Sequence, residues 1–216
     1  MTTPEPPPAA QPSEPARKEQ VFRSRMGIAG GVFLLALTLF FGADSIIRGE
    51  GSTPWVSLAT LLFLVPLIVA FTIRPAVYAD DRRLRIRNPF RSITLPWASI
   101  ADIRASYSSE VFGQDGTKYQ LWAIPVSLRQ RKRAARRAAT ASQDDPLGRT
   151  SATADVTDTE SRIAPADQTV ADLRELAERL GRRPEAQGEP LIRWAYEIIA
   201  PAVVGLVLLV ILLALR

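Results

Sequence analysis

Four arginines, Arg83, Arg85, Arg87 and Arg91, fall within nine residues of one another. Arg83-Leu84-Arg85-Ile86-Arg87 alternates with period two, which turns Leu84 and Ile86 toward a core and the guanidinium groups toward water. The chemistry open to such a face is anion binding, and anionic lipid headgroups are the ligand class it suits. A second basic cluster holds Arg129, Arg131, Lys132, Arg133, Arg136 and Arg137. No aromatic residue interleaves it, so stacking on single-stranded nucleic acid is poorly supported and nucleic acid is not an expected partner. The simpler account is preferred at both clusters. At Arg83–Arg91 alternation by itself produces a solvated basic face that also sets topology, and Arg129–Arg137 reads as a basic loop resting on the anionic leaflet. Each basic residue near an anionic leaflet still adds about 1 kcal/mol of attraction, enough to orient a domain without making it a receptor.

Other chemistries are excluded by composition. The chain has no Cys and no His. That removes disulfides, thiolate nucleophiles, the usual general base and the commonest metal ligands. Catalysis by Asp, Glu, Lys or Ser alone remains open, but no Gly-rich phosphate loop supports it. No cofactor and no metal site is expected, and the chain is read as no enzyme.

These residues must be positioned by elements in two solvents. Three dense apolar runs, residues 26–47, 55–73 and 194–215, are each long enough to cross hydrocarbon at 1.5 Å rise per residue. Trp55 and Trp194 sit where interfacial aromatics belong, and Arg25, Arg48, Arg74, Arg193 and Arg216 flank the runs. The first run exceeds the apolar stretch of a signal peptide, and a second run follows after a short turn, so an uncleaved helical hairpin is expected. The arginine bias puts residues 1–25 and the long segment between spans two and three in the cytoplasm, at the plasma membrane, with residue 216 outside. Residues 1–25 form a Pro-rich tail expected to be disordered.

Residues 74–128 read as an antiparallel meander. Ile93, Leu95 and Trp97 alternate, as do Tyr119, Leu121 and Ala123, while Ile100, Ile103, Ala105 and Tyr107 alternate less regularly. Asp80-Asp81, Asn88-Pro89 and Asp115-Gly116 mark turns, the last with the residues of a type I′ hairpin. Residues 129–165 are basic, then polar, and read as a flexible loop. Residues 166–183 read as an amphipathic helix. Thr169 and Asp172 resemble a capping box, Val170, Leu173, Leu176, Ala177 and Leu180 form one apolar stripe, and Gly181 suits a left-handed cap. The helix is too short to be stable alone and must pack on the strands.

Strands followed by one amphipathic helix describe a pleckstrin-homology-like (PH-like) fold. The runs Val77-Tyr78-Ala79-Asp80, Leu84-Arg85-Ile86-Arg87-Asn88-Pro89-Phe90, Leu95-Pro96-Trp97-Ala98-Ser99-Ile100-Ala101-Asp102-Ile103 and Tyr119-Gln120-Leu121-Trp122-Ala123 resemble the bacterial PH-like domains of small membrane proteins in high-GC Gram-positive bacteria. The similarity covers about a third of the chain, Trp55 to Ile124, and its most specific piece is Pro96-Trp97 followed by Ile100 and Ile103. It implies a fold and a membrane location, and no defined activity. A long insertion, Ser127 to Pro165, and a third span depart from the simpler relatives.

Remaining features have structural readings. Gly27 and Gly31 allow close helix approach, either in a homo-oligomer or within the chain. Asp44 and Glu197 lie within about one turn of a span end, where headgroups are in reach. Pro66 and Pro201 are expected to kink their helices. Trp97 and Trp122 suit packing. The reading these features favour is a membrane-anchored interaction module that binds a protein partner or anionic headgroups. A small transporter or channel component is the alternative, against which the lack of midplane charge argues, and an enzyme is the least supported.

Overall fold

The computed structural model describes residues 19–127, 132, 136 and 165–215. Three helices are long and apolar enough to cross a membrane, which makes this a multi-pass membrane protein. Helix α1, Arg25–Arg48, is capped by the Ser24 hydroxyl, which accepts from the Gly27 amide. Helix α2, Thr53–Ile68, continues as a π-helical turn, Val69–Ile73, that closes with the Arg74 amide donating to the Val69 carbonyl.

The spans pack as an antiparallel set. Ser57 donates to Ser45 across the first pair at 2.7 Å. Gly31 lies against Thr72, and a Cβ added there would meet the Thr72 side chain at 2.0 Å. The Gly27–Gly31 face is thereby used inside the chain. The last helix, Tyr196–Ala214, crosses α2 at Gly205, where an added Cβ would lie 2.5 Å from the Phe63 amide nitrogen. Side chains elsewhere on the spans face outward and apolar, as hydrocarbon requires.

The soluble part is built from two antiparallel sheets and one helix. In the first sheet the strand order is β1 (Gln20–Phe22), β2 (Ala76–Ala79), β3 (Arg83–Arg87), β4 (Arg91–Pro96) and β8 (Leu191–Trp194). The second holds β5 (Ile100–Ala105), β6 (Ser109–Gly113) and β7 (Lys118–Gln120). A 3-10 turn, Trp97–Ser99, carries the chain from one sheet to the other. Helix α3, Pro165–Leu180, closes the core with Val170, Leu173, Leu176 and Leu180 packed among Leu84, Ile86, Ile93, Leu95, Trp97, Ile103 and Val111. The buried Trp97 indole donates to the Asp80 carbonyl at 2.8 Å, so its one polar atom is satisfied. The span from Tyr196 is numbered α4 below.

Several expectations are corrected. The tail expected through residue 25 ends sooner, because Gln20–Phe22 pairs with β2; residues before 19 lie outside the described residues. The third span begins at Tyr196 rather than Trp194, since Leu191–Trp194 pairs with β4. Helix α3 starts at Pro165, one turn before Thr169, because proline suits the first helical position and Ala166 extends the apolar stripe. Thr169 is therefore no cap. Gly181 does not take a positive φ; glycine is needed there because an added Cβ would sit 2.7 Å from the Ala177 carbonyl and 3.4 Å from that of Trp97. At Asp115-Gly116 only the glycine has positive φ, and Asp115 accepts from the Thr117 amide and hydroxyl instead. The irregular phase of Ile100 and Ile103 has a cause in a register shift between Ile100 and Asp102. Leu121 and Ala123 are buried beyond the end of β7; the Leu121 amide still donates to the Ser109 carbonyl at 2.8 Å, and Ala123 lies in the turn that follows.

Candidate functional site

Each span is joined directly to a strand of the first sheet. β1 leads into α1, the π-helical turn leads into β2, and β8 leads into α4. The bundle ends and the sheet therefore share a boundary, and aromatic rings seal it. Phe71 at the end of span two meets Phe90 at 5.3 Å and Trp122 at 5.5 Å, both edge-on. The buried Asn88 ties the β3–β4 turn to the far sheet by donating to the Gln120 carbonyl at 2.9 Å.

Arg74 is the polar counterpart of that seal. It is the first residue past the π-helical turn, and its guanidinium reaches three acceptors. Nε donates to the Asn88 carbonyl at 3.2 Å, Nη1 to Glu197 Oε1 at 2.7 Å and Nη2 to Ser92 Oγ at 3.3 Å. One side chain thus joins the end of span two, Glu197 at the start of the third span (α4), and strand β4. The Arg74 side chain is only 15% exposed while that of Glu197 is 64% exposed. Water screens the carboxylate, so the ion pair alone is worth no more than about 1 kcal/mol, and the geometry of three bonds matters more.

Above this junction the outer face of the first sheet forms a cleft of about 450 Å³. Arg74, Arg83, Arg85, Arg87 and Arg193 line it with Ser92, Thr94, Leu191, Trp194 and Glu197. The register explains the grouping. Arg87 opposes Ser92, which opposes Arg193, in the row next to the span ends. Tyr78 opposes Arg85, which opposes Thr94 and then Leu191, in the next row outward. Arg83 opposes Pro96 in the third. Rows two residues apart lie about 7 Å apart along the strands.

Most of these cations are held in place. Arg85 stacks over the Tyr78 ring at 4.9 Å and donates to Glu19 at 2.6 Å. Arg87 lies over the same ring at 5.2 Å and donates to the Tyr78 hydroxyl at 3.4 Å. Arg23 donates to that hydroxyl at 2.6 Å. Arg83 pairs with Asp80 at 3.5 Å. Arg193 carries no ion pair among the described residues.

The arginines singled out from sequence divide. Arg83, Arg85 and Arg87 come together in the cleft. Arg91 does not, because it shares the parity of Ile93 and Leu95 and belongs to the opposite face of β4. Lys132 is exposed and helical, and Arg129, Arg131 and Arg133 lie outside the described residues. Arg74 and Arg193 were legible only as span flanks, and Glu197 only as an interfacial carboxylate. Finding them together needs the knowledge that spans two and three abut one sheet.

Away from the cleft, Asp102 accepts from Arg104 and pairs with Arg174 of α3 at 3.2 Å. The Arg104 hydrogen bond is the main cause that holds its carboxyl below the usual range, helped by the Ile103 amide and opposed by burial. The Thr117 hydroxyl and amide do the same for Asp115. No group of Asp and Glu suited to a metal ion occurs among the described residues.

Residues 74–186 match the family model described as Bacterial PH domain. No curated protein and no solved structure matches the chain.

Proposed function

The chain belongs to the bacterial PH domain family, and from that premise we propose that it is a non-enzymatic interaction module held at the inner face of the plasma membrane, where the arginine face of its first sheet meets anionic lipid headgroups. The observation that carries this reading is the direct joining of all three spans to strands of that one sheet. It brings the lowest arginine row beside the ends of the spans, which supports a contact with headgroups. Trp194 and the exposed Tyr196 are the aromatics expected at that depth. Each arginine near an anionic leaflet then contributes about 1 kcal/mol.

The test is lipid composition around the protein. Wild type extracted with native lipid into polymer-bounded discs should carry more phosphatidylglycerol and other anionic lipid than the bulk membrane. The variant R83Q/R85Q/R87Q/R193Q should carry the bulk composition. Equal enrichment in both would refute the reading.

A second reading rests on β8. This edge strand is exposed along its whole length, with Leu191 48%, Ile192 43% and Trp194 56% exposed. An unpaired edge of that kind accepts a partner strand, so a protein partner would dock there by strand addition. Proline substitution at Ile192, whose amide would be lost, should abolish cross-linking to such a partner while leaving the lipid enrichment intact.

A further inference from the structure

We propose that the lowest row of the cleft, Arg87, Ser92 and Arg193, is a discrete site for one phosphomonoester dianion, with a lipid headgroup as the source. This rests on the headgroup reading above and sharpens it from a charged face to a stoichiometric site.

Charge compensation within the cleft is uneven. Arg83 has Asp80, Arg85 has Glu19 and Arg74 has Glu197. Arg87 has only the Tyr78 phenol as a hydrogen-bond acceptor and shares the charge of Glu197 with Arg74, and Arg193 has no ion pair among the described residues, so the cleft's five arginines face three carboxylates. Two positive charges are therefore left over in a concave space of about 450 Å³. They are also the two that share a cross-strand row, on either side of Ser92. Strands are about 4.8 Å apart, so their Cα atoms are separated by roughly 10 Å with a hydroxyl between them, and long side chains from both sides can close on one phosphate.

The donors fit a monoester. Ser92 Oγ accepts from Arg74, which leaves its own proton to donate. Arg87 is already ordered by the Tyr78 ring and hydroxyl, so little freedom is lost when it binds. Two guanidinium forks and one hydroxyl match three terminal oxygens. A phosphomonoester offers those three oxygens and a charge of about −1.5 to −2 at pH 7. A phosphodiester offers two oxygens and one charge, and would leave part of the cleft uncompensated. Glu197 sits at the membrane side of the cleft and neutralises Arg74, which keeps the third guanidinium from adding a further demand for charge.

Full-length protein in phosphatidylcholine nanodiscs tests this, with phosphatidate as the monoester and phosphatidylglycerol as the diester. Lipids retained after bilayer ejection are counted by native mass spectrometry. Phosphatidylglycerol is added at twice the mole fraction of phosphatidate so that surface charge is comparable. Wild type should retain one phosphatidate, saturably, in preference to phosphatidylglycerol. R87Q/R193Q should weaken that retention at least about tenfold, the scale set by losing a single charge-assisted hydrogen bond. R91Q, on the opposite face, should not change it. Ser92→Ala keeps both arginines and should lose several-fold, which covers the case in which the double variant fails to fold. Equal retention of the two anionic lipids would overturn the discrete site and leave the general headgroup reading standing. Retention of neither above phosphatidylcholine would remove both. Displacement of phosphatidate by millimolar inorganic phosphate would support the site's chemistry and assign it to a soluble phosphate.

Discussion

The two faces of the first sheet are built from the same strands and obey different rules. On the inner face Leu84, Ile86, Ile93 and Leu95 are fully buried, and Val77 from β2 joins them. On the outer face, one residue away in each strand, stand Arg83, Arg85, Arg87, Ser92, Thr94 and Arg193. The inner set is fixed by packing, since each side chain fills space that nothing else fills. The outer set satisfies no packing demand and gathers like charges that repel one another. Its arginines are held by the Tyr78 ring and by pairs with Asp80, Glu19 and Glu197 rather than by packing, which leaves the face open to a ligand.

Breaking the comparison should be easiest on the inner side. Ile93→Ala should cost about 2–5 kcal/mol of stability, while Thr94→Ala, its neighbour on the outer face, should stay within about 0.5 kcal/mol. Thermal melts of the full chain in one detergent would measure both, and similar losses would erase the distinction. Leu173→Ala, in the helix that covers the inner face, should match Ile93→Ala.

Between the faces lies the junction with the bundle. Gly205→Ala forces a Cβ to within 2.5 Å of the Phe63 amide and should destabilise the α2–α4 contact by about 1–3 kcal/mol. Disulfide trapping between engineered cysteines at Leu62 and Leu206 should fall accordingly. Arg74→Gln removes one ion pair and leaves Asn88 and Ser92 short of a donor, for a loss of about 1–2 kcal/mol. Its readout is faster hydrogen exchange at the β3–β4 turn, and unchanged exchange there would show that the aromatic seal alone holds the domain.

The smallest effects concern surface charge. Asp102 has a lowered carboxyl pKa in the folded chain. Its contribution is present above the ordinary carboxylate range near pH 4 and is lost as pH falls through that range and below. Asp102→Asn should lower the melting temperature slightly at neutral pH and leave the acid end nearly unchanged, which flattens the acid limb of the profile. Arg85→Gln should alter stability by less than about 0.5 kcal/mol, so any change in lipid retention it causes belongs to binding and not to folding.

Much of this architecture was legible in sequence because its signals are local. Three apolar runs announce the spans, since length and hydropathy need no partner to be read. The period-two pattern of Arg83–Arg87 and the stripe from Val170 to Leu180 announce which faces go inward. The same rule of alternation would have set Arg91 apart from Arg87, because Arg91 is in phase with Ile93 and Leu95. Strands β1 and β8 left no comparable trace. Gln20–Phe22 and Leu191–Trp194 are short, and their pairing partners lie more than fifty residues away in the chain.

By itself, then, the order of residues determined the number of spans, the alternation of the strands and the absence of histidine and cysteine chemistry. These depend on each residue's own transfer free energy and on its near neighbours. Tertiary structure alone decided that Arg74, Arg193 and Glu197 join Arg87 around one cleft. That outcome depends on which strands become neighbours and on where the spans re-enter the sheet, and neither is encoded at any single stretch of chain.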